Sequence, residues 1–245
     1  LSTVDGRAIV EYVTPEVTRE TPFSEYLQSN KWETAGATLH YRRGDFYLHV
    51  RTKADVDDPE PAENGTVLGV DLRIENIAVT STGVHIGNGD CLNHKRSEFE
   101  KRRASLQQTG TRSAHQTFHR ISGRFGRWSE DYLHRCSNAI VEEARMHGCT
   151  HIAFEDLDQI RDRISDEKKF QQWAFKELQT QTENKAELAG IVVETVEPSY
   201  TSQQCSRCGC TLEQNRDGQQ FACLNCAYAV NADYNAAKNV ARKLA

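Results

Sequence analysis

The strongest constraint on this chain lies near its end, where Cys205-x-x-Cys208 is followed, after fourteen intervening residues, by Cys223-x-x-Cys226. Two such pairs at this separation are a four-thiolate zinc site, each pair forming a tight knuckle whose two sulfurs face one metal. Gly209 supplies turn geometry for the first knuckle that a side chain resists. Four protein thiolates leave no open position for water, so the zinc is structural. Directly downstream, Asp233 opens a segment over 233–243 that reads as a helix. The metal clip therefore fixes the position of one carboxylate, and Asp233 becomes the third member of a candidate catalytic cluster. The other cysteines, Cys91, Cys136, Cys149 and Cys210, are scattered without a disulfide framework. That usage implies free thiols and a cytoplasmic protein.

Two further carboxylates sit inside apolar sequence. The run VLGVDL at 67–72 is apolar on both faces, as a central strand requires. Asp71 within it is costly unless its charge is compensated, although a cap or turn acceptor is the competing reading. The run THIAFEDLD at 150–158 is a second short apolar strand ending in carboxylates, with Glu155 at the carboxyl end where open sheets place active sites. Asp156 and Asp158 are rival candidates: strand parity turns Asp156 to the opposite face, and Asp158 falls in the following loop. Three clustered carboxylates repel one another, which raises their pKa values. Two Mg2+ ions remove that penalty and keep open positions for phosphate oxygens. Held about 3.5–4 Å apart, they suit in-line hydrolysis of a phosphodiester.

Residues 1–53 read as strand-rich, with a hairpin of 38–41 and 46–50 around Arg42-Arg43-Gly44-Asp45. The acidic, Pro-containing stretch 54–66 reads as a linker. A short hairpin follows at 76–80 and 84–86. Helices are expected over 93–108, 128–147 and 167–189, and a strand over 191–196. In the 128–147 helix, Glu130 and Asp131 fall in the first turn, and Gly148 is the stop. Phe170 and Trp173 are read as core. The resulting order is that of an α/β fold, a mixed sheet flanked by helices.

No apolar run approaches a membrane span, so no membrane partner is expected. The net charge is −5, yet the stretch 95–135 holds ten Lys or Arg against four Asp or Glu. A basic strip on an acidic body is the footprint of phosphate binding, with a merely solvated helix face as the bland alternative. Lys95, Arg96, Lys101, Arg102, Arg103, Arg120, Arg124 and Arg127 are the candidate nucleic-acid-binding residues.

The strings VLGVDLRIENIAV (67–79), HIAFEDL (151–157), PSYTSQQCSRCG (198–209), CLNC (223–226) and DYNAAKNV (233–240) resemble the three RuvC-like motifs and inserted zinc ribbon of TnpB. That family comprises transposon-encoded, RNA-guided endonucleases. The resemblance implies an RNase H-like sheet in a nuclease domain over 67–245, with the ribbon at 200–230 and a partial β-rich nucleic-acid-binding segment before it. It implies Asp71, Glu155 and Asp233 as the catalytic, Mg2+-binding carboxylates, zinc on the four paired cysteines, DNA as substrate and guide RNA as partner. Ala227 stands where the second knuckle usually ends in Gly, which strains that knuckle without removing a ligand. On this resemblance, the family's upstream, guide-gripping region is expected to be mostly missing from the sequence. The alternatives are therefore a truncated or non-catalytic nucleic-acid binder acting as a repressor, and a stand-alone resolvase or RNase H. The sequence does not set the oligomeric state.

Overall fold

The structure is a computed structural model that describes residues 2–3, 6–7, 24–42, 44–56, 65–73, 75–156 and 166–245. It divides into two compact units, Leu1–Val56 and Asp57–Ala245. In the first, β1 (Ser2–Thr3) pairs with β2 (Gly6–Arg7), and α1 (Ser24–Gln28) precedes a long antiparallel hairpin of β3 (Glu33–Arg42) and β4 (Asp45–Lys53). Arg42 pairs with Asp45, so a two-residue loop closes the hairpin, and Gly44 takes the positive φ that such a loop demands. The expected linker lies largely outside the described residues.

The second unit is built on a five-stranded sheet ordered β7-β6-β5-β8-β9. Its strands are β5 (Val67–Leu72), β6 (Ala78–Thr80), β7 (His85–Ile86), β8 (His151–Glu155) and β9 (Val192–Val196). β5, β8 and β9 run parallel, while β6 and β7 fold back antiparallel. Helices α2 (Gly89–Thr109), α3 (Arg112–Ile121) and α4 (Arg124–Met146) link β7 to β8, and α5 (Asp166–Leu188) links β8 to β9. This is the mixed sheet anticipated from the order of elements, in the RNase H-like form that the resemblance implies.

Strand alternation decides what each face carries. Leu68, Val70 and Leu72 of β5, with Ile152 and Phe154 of β8, pack against Leu133 and Ile140 of α4 and Leu178 of α5. Gly69 and Asp71, with Ala153 and Glu155, therefore point to the opposite face. The final helix, α6 (Ala232–Leu244), covers that face, where Val240 packs with Ala153 and Val196. Gly69 permits the approach: a Cβ there would sit 2.1 Å from the Ala237 carbonyl oxygen and 2.5 Å from the Ala241 nitrogen.

Two helix starts differ from expectation. α2 begins four residues early because the Asn88 side chain accepts from the Cys91 N–H and caps the helix. α4 begins at Arg124, which moves Glu130 and Asp131 out of the first turn and leaves no acidic residue there. The extra turn lets Phe125 pack against Phe99 and Phe170, a gain that outweighs the missing dipole partners. Asp158 lies outside the described residues.

Candidate functional site

The zinc-ribbon module lies between β9 and α6. It contains β10 (Arg216–Asp217), β11 (Gln220–Ala222) and β12 (Ala229–Asn231), joined in one antiparallel sheet. The sulfurs of Cys205, Cys208, Cys223 and Cys226 all lie within 4.8 Å of one another. Cys205 to Cys226 is 3.7 Å and Cys208 to Cys223 is 3.6 Å, far longer than a disulfide. A tetrahedron of bonds of about 2.3 Å has edges of about 3.8 Å, so the four thiols fit zinc. The Cys210 N–H is the main influence drawing Cys208 down to about 6. The Tyr228 N–H pulls Cys226 downward, but burial beside three other sulfurs outweighs it and pushes that thiol up to about 12. Such crowded sulfurs ionise together only around a cation.

Gly209 has φ 77 and Ala227 has φ 55, and their N–H groups donate to the Cys205 and Cys223 carbonyls, each at 2.9 Å. The knuckles are thus equivalent, and Ala227 bears the left-handed strain that glycine avoids.

Asparagines wire the ribbon to α6. Asn235 accepts from the Ser206 N–H and donates to the Gln204 carbonyl, while Asn239 donates to the carbonyls of Thr201 and Gln204. Asn231 caps α6 by accepting from the N–H groups of Asp233 and Tyr234. These contacts fix Asp233 in the first turn of α6, over the sheet face that carries Asp71 and Glu155.

Asp71 and Glu155 come to one face because β5 and β8 are parallel neighbours, with Val70 aligned to Phe154. The next residue on each strand is the carboxylate. The Thr201 hydroxyl donates to Glu155 Oε1, and Gln179 Nε2 donates to the Glu155 carbonyl at 3.1 Å. Asp71 is fully buried. Its Oδ2 accepts from Arg73 Nε at 2.8 Å, whereas its Oδ1 is buried with no hydrogen-bond partner. Burial raises the Asp71 carboxyl to about 7; Arg73 opposes the rise, and Glu155 and Asp233 add to it. Asp233 Oδ1 lies 3.5 Å from Arg73 Nε and 3.2 Å from Arg216 Nη2.

Asp71 and Glu155 thus share a sheet face, and Asp71 and Asp233 share a guanidinium, but the carboxylate oxygens are not drawn together as the four sulfurs are. Among the described residues, the thiols form the group whose ligand atoms are mutually within 4.8 Å. The donors nonetheless suit a hard cation: all are carboxylate oxygens, one is buried and unpaired, and a positive group already lies among them. Arg73, Arg216 and Thr201 were missed in the sequence. Arg73, two residues from Asp71 in an apolar stretch, was the visible signal.

Of the basic residues, Lys95, Arg96, Lys101, Arg102 and Arg103 lie on α2, Arg120 on α3, and Arg124 and Arg127 on α4. Lys95, Arg102 and Arg124 come together around a cavity of about 480 Å³ with Phe99, Phe125 and Trp128. Lys95 also pairs with Glu98, and Arg96 pairs with Glu100 and covers the Phe170 ring. Phe170 is only half-buried and Trp173 more exposed still, so the pair forms the rim of the core. Among the described residues, no helix is long and apolar enough to cross a membrane.

Sheet, terminal helix and four-thiol insert together define an RNase H-like domain carrying a zinc-ribbon-type module. A family model described as probable transposase matches residues 49–161, and one described as Cas12f1-like, TNB domain, matches 175–240. The first range holds Asp71 and Glu155; the second holds Asp233 and the four cysteines. The CRISPR-associated endodeoxyribonuclease Cas12f1 of Sulfoacidibacillus thermotolerans is 36% identical over 192 residues, 71% of this chain and 45% of the relative. A TnpB-like protein of Methanocaldococcus jannaschii is 38% identical over 130 residues, 51% of this chain and 46% of the relative. A Cas12f1–sgRNA–target DNA complex contains a chain of like fold, at TM-score 0.58 and 18% identity, covering 84% of this chain and 56% of that one. Over both matched ranges the chain is thus similar to OrfB-type transposases and to TnpB- and Cas12f1-like proteins. It spans about half the length of these curated relatives.

Proposed function

We propose that the chain is the metal-dependent endonuclease core of a TnpB-like, RNA-guided system that hydrolyses DNA phosphodiesters in the cytoplasm. The observation that supports this reading is Asp71 and Glu155 on one sheet face, with Asp233 of α6 joined to Asp71 through Arg73 and a buried Asp71 oxygen left unpaired. These three carboxylates would hold Mg2+, which when bound supplies activation of water and stabilisation of the leaving oxygen. Thr201 orients Glu155, and the Asn231 cap holds Asp233 in place. The ribbon binds Zn2+ structurally and keeps α6 seated. The basic face of α2, α3 and α4 grips the nucleic-acid backbone, so binding weakens steeply with salt.

The test incubates labelled DNA with the protein, RNA from its own transcript and Mg2+. Cleavage is expected, and Asp71→Ala should abolish it while fold and zinc content persist; cutting by that variant refutes the assignment. A second reading, a non-catalytic binder, is favoured by the arginines already seated on Asp71 and Asp233. Tight binding with no cleavage in the same assay selects it.

A further inference from the structure

Asp71 and Asp233 both point at one side chain. Arg73 Nε is 2.8 Å from Asp71 Oδ2 and 3.5 Å from Asp233 Oδ1, and its charge also reaches Glu155. Among the described residues, these carboxylates are its side-chain polar partners. Arg216 differs: it enters from the ribbon, contacts Asp233 alone of the three, and donates through Nε to the Gly218 carbonyl at 3.0 Å. That second anchor makes Arg216 a fixed clamp. Among the described residues Arg73 has no comparable backbone anchor, and its side chain is one-third exposed, so a path to solvent exists.

We propose that Arg73 is the resident counter-cation of the carboxylate site and that a divalent ion binding there competes with its guanidinium, which must swing away for tight binding. The inference rests on the reading of these carboxylates as metal ligands and adds what competes for them. Asp71 Oδ2 already accepts a charge-assisted hydrogen bond from Arg73, so a divalent ion on either oxygen of that carboxylate would face the guanidinium across the same group and be repelled by it. Withdrawal of Arg73 frees the oxygen and removes the repulsion. Metal affinity is thereby set by an interaction internal to the chain.

The test uses the full zinc-loaded chain and Mn2+ as probe, followed by electron paramagnetic resonance, with Mg2+-induced stabilisation read by thermal melting. Arg73→Gln should bind Mn2+ about tenfold to a hundredfold more tightly than the parent, as the loss of a charged competitor predicts. Arg73→Lys, which keeps the charge, should bind like the parent. Adding Mg2+ should raise the melting temperature of Arg73→Gln more than that of the parent. Asp71→Asn should remove the gain in either background. Equal or weaker Mn2+ binding by Arg73→Gln, with parental binding still lost in Asp71→Asn, overturns the competition and leaves the metal-site reading standing. Absence of Asp71-dependent Mn2+ binding in every variant overturns both.

Discussion

Replacing Asp71 with Asn removes a buried charge while nearly preserving shape, and the structure predicts that the magnesium-free protein becomes more stable at neutral pH. The Asp71 carboxyl rises from 3.8 to about 7, chiefly through burial. Between those values the folded state keeps a proton that the unfolded chain releases, so stability falls as pH rises through this window. At about 1.4 kcal/mol per pH unit, the loss accumulated by pH 8 is about 4 kcal/mol, an upper bound because water entry and relaxation soften it. Asn carries no such dependence. The two proteins should therefore converge near pH 4, and the variant should be the more stable by up to that amount at pH 8. Urea unfolding followed by tryptophan fluorescence, in magnesium-free buffer with zinc retained, measures the difference at each pH. Acid release of zinc affects both proteins and cancels in the subtraction. A difference that stays flat from pH 4 to 8, or an Asn variant weaker at pH 8, refutes the claim that Asp71 is held in a penalised, buried state.

Three other outcomes follow from the packing. Ala227→Gly relieves the left-handed φ of the second knuckle and should raise stability by about 1 kcal/mol without changing zinc stoichiometry, as read by denaturant midpoints and metal analysis. Gly69→Ala puts a methyl against the backbone of α6, where a flexible side chain cannot give way. It should cost about 3 kcal/mol or destroy the fold, and near-wild-type melting would show that α6 does not sit this close. Cys205→Ser should lower zinc content and thermal stability together, and normal values for both would remove the structural role of the ribbon.

The sequence by itself determined the zinc module, the strands of the five-stranded sheet and the three carboxylates as candidates. Each of these signals is local: ligand spacing in the cysteine pairs, and an acid inside an apolar run. Helix starts were less legible, because Asn88 as a cap and Phe125 as a packing residue act through partners the local pattern does not name. Parity within one strand turns Gly69 and Asp71 to the same side, and Ala153 and Glu155 likewise, but only the pairing of β5 with β8 makes the two sides one face. Only tertiary structure seats Asp233 over that face, through Asn231, Asn235 and Asn239 bonded to backbone that a metal clip holds. It alone decides that Arg73 lies among the acids, because a guanidinium takes the place where opposite charge is densest, and that density exists only after distant segments have met.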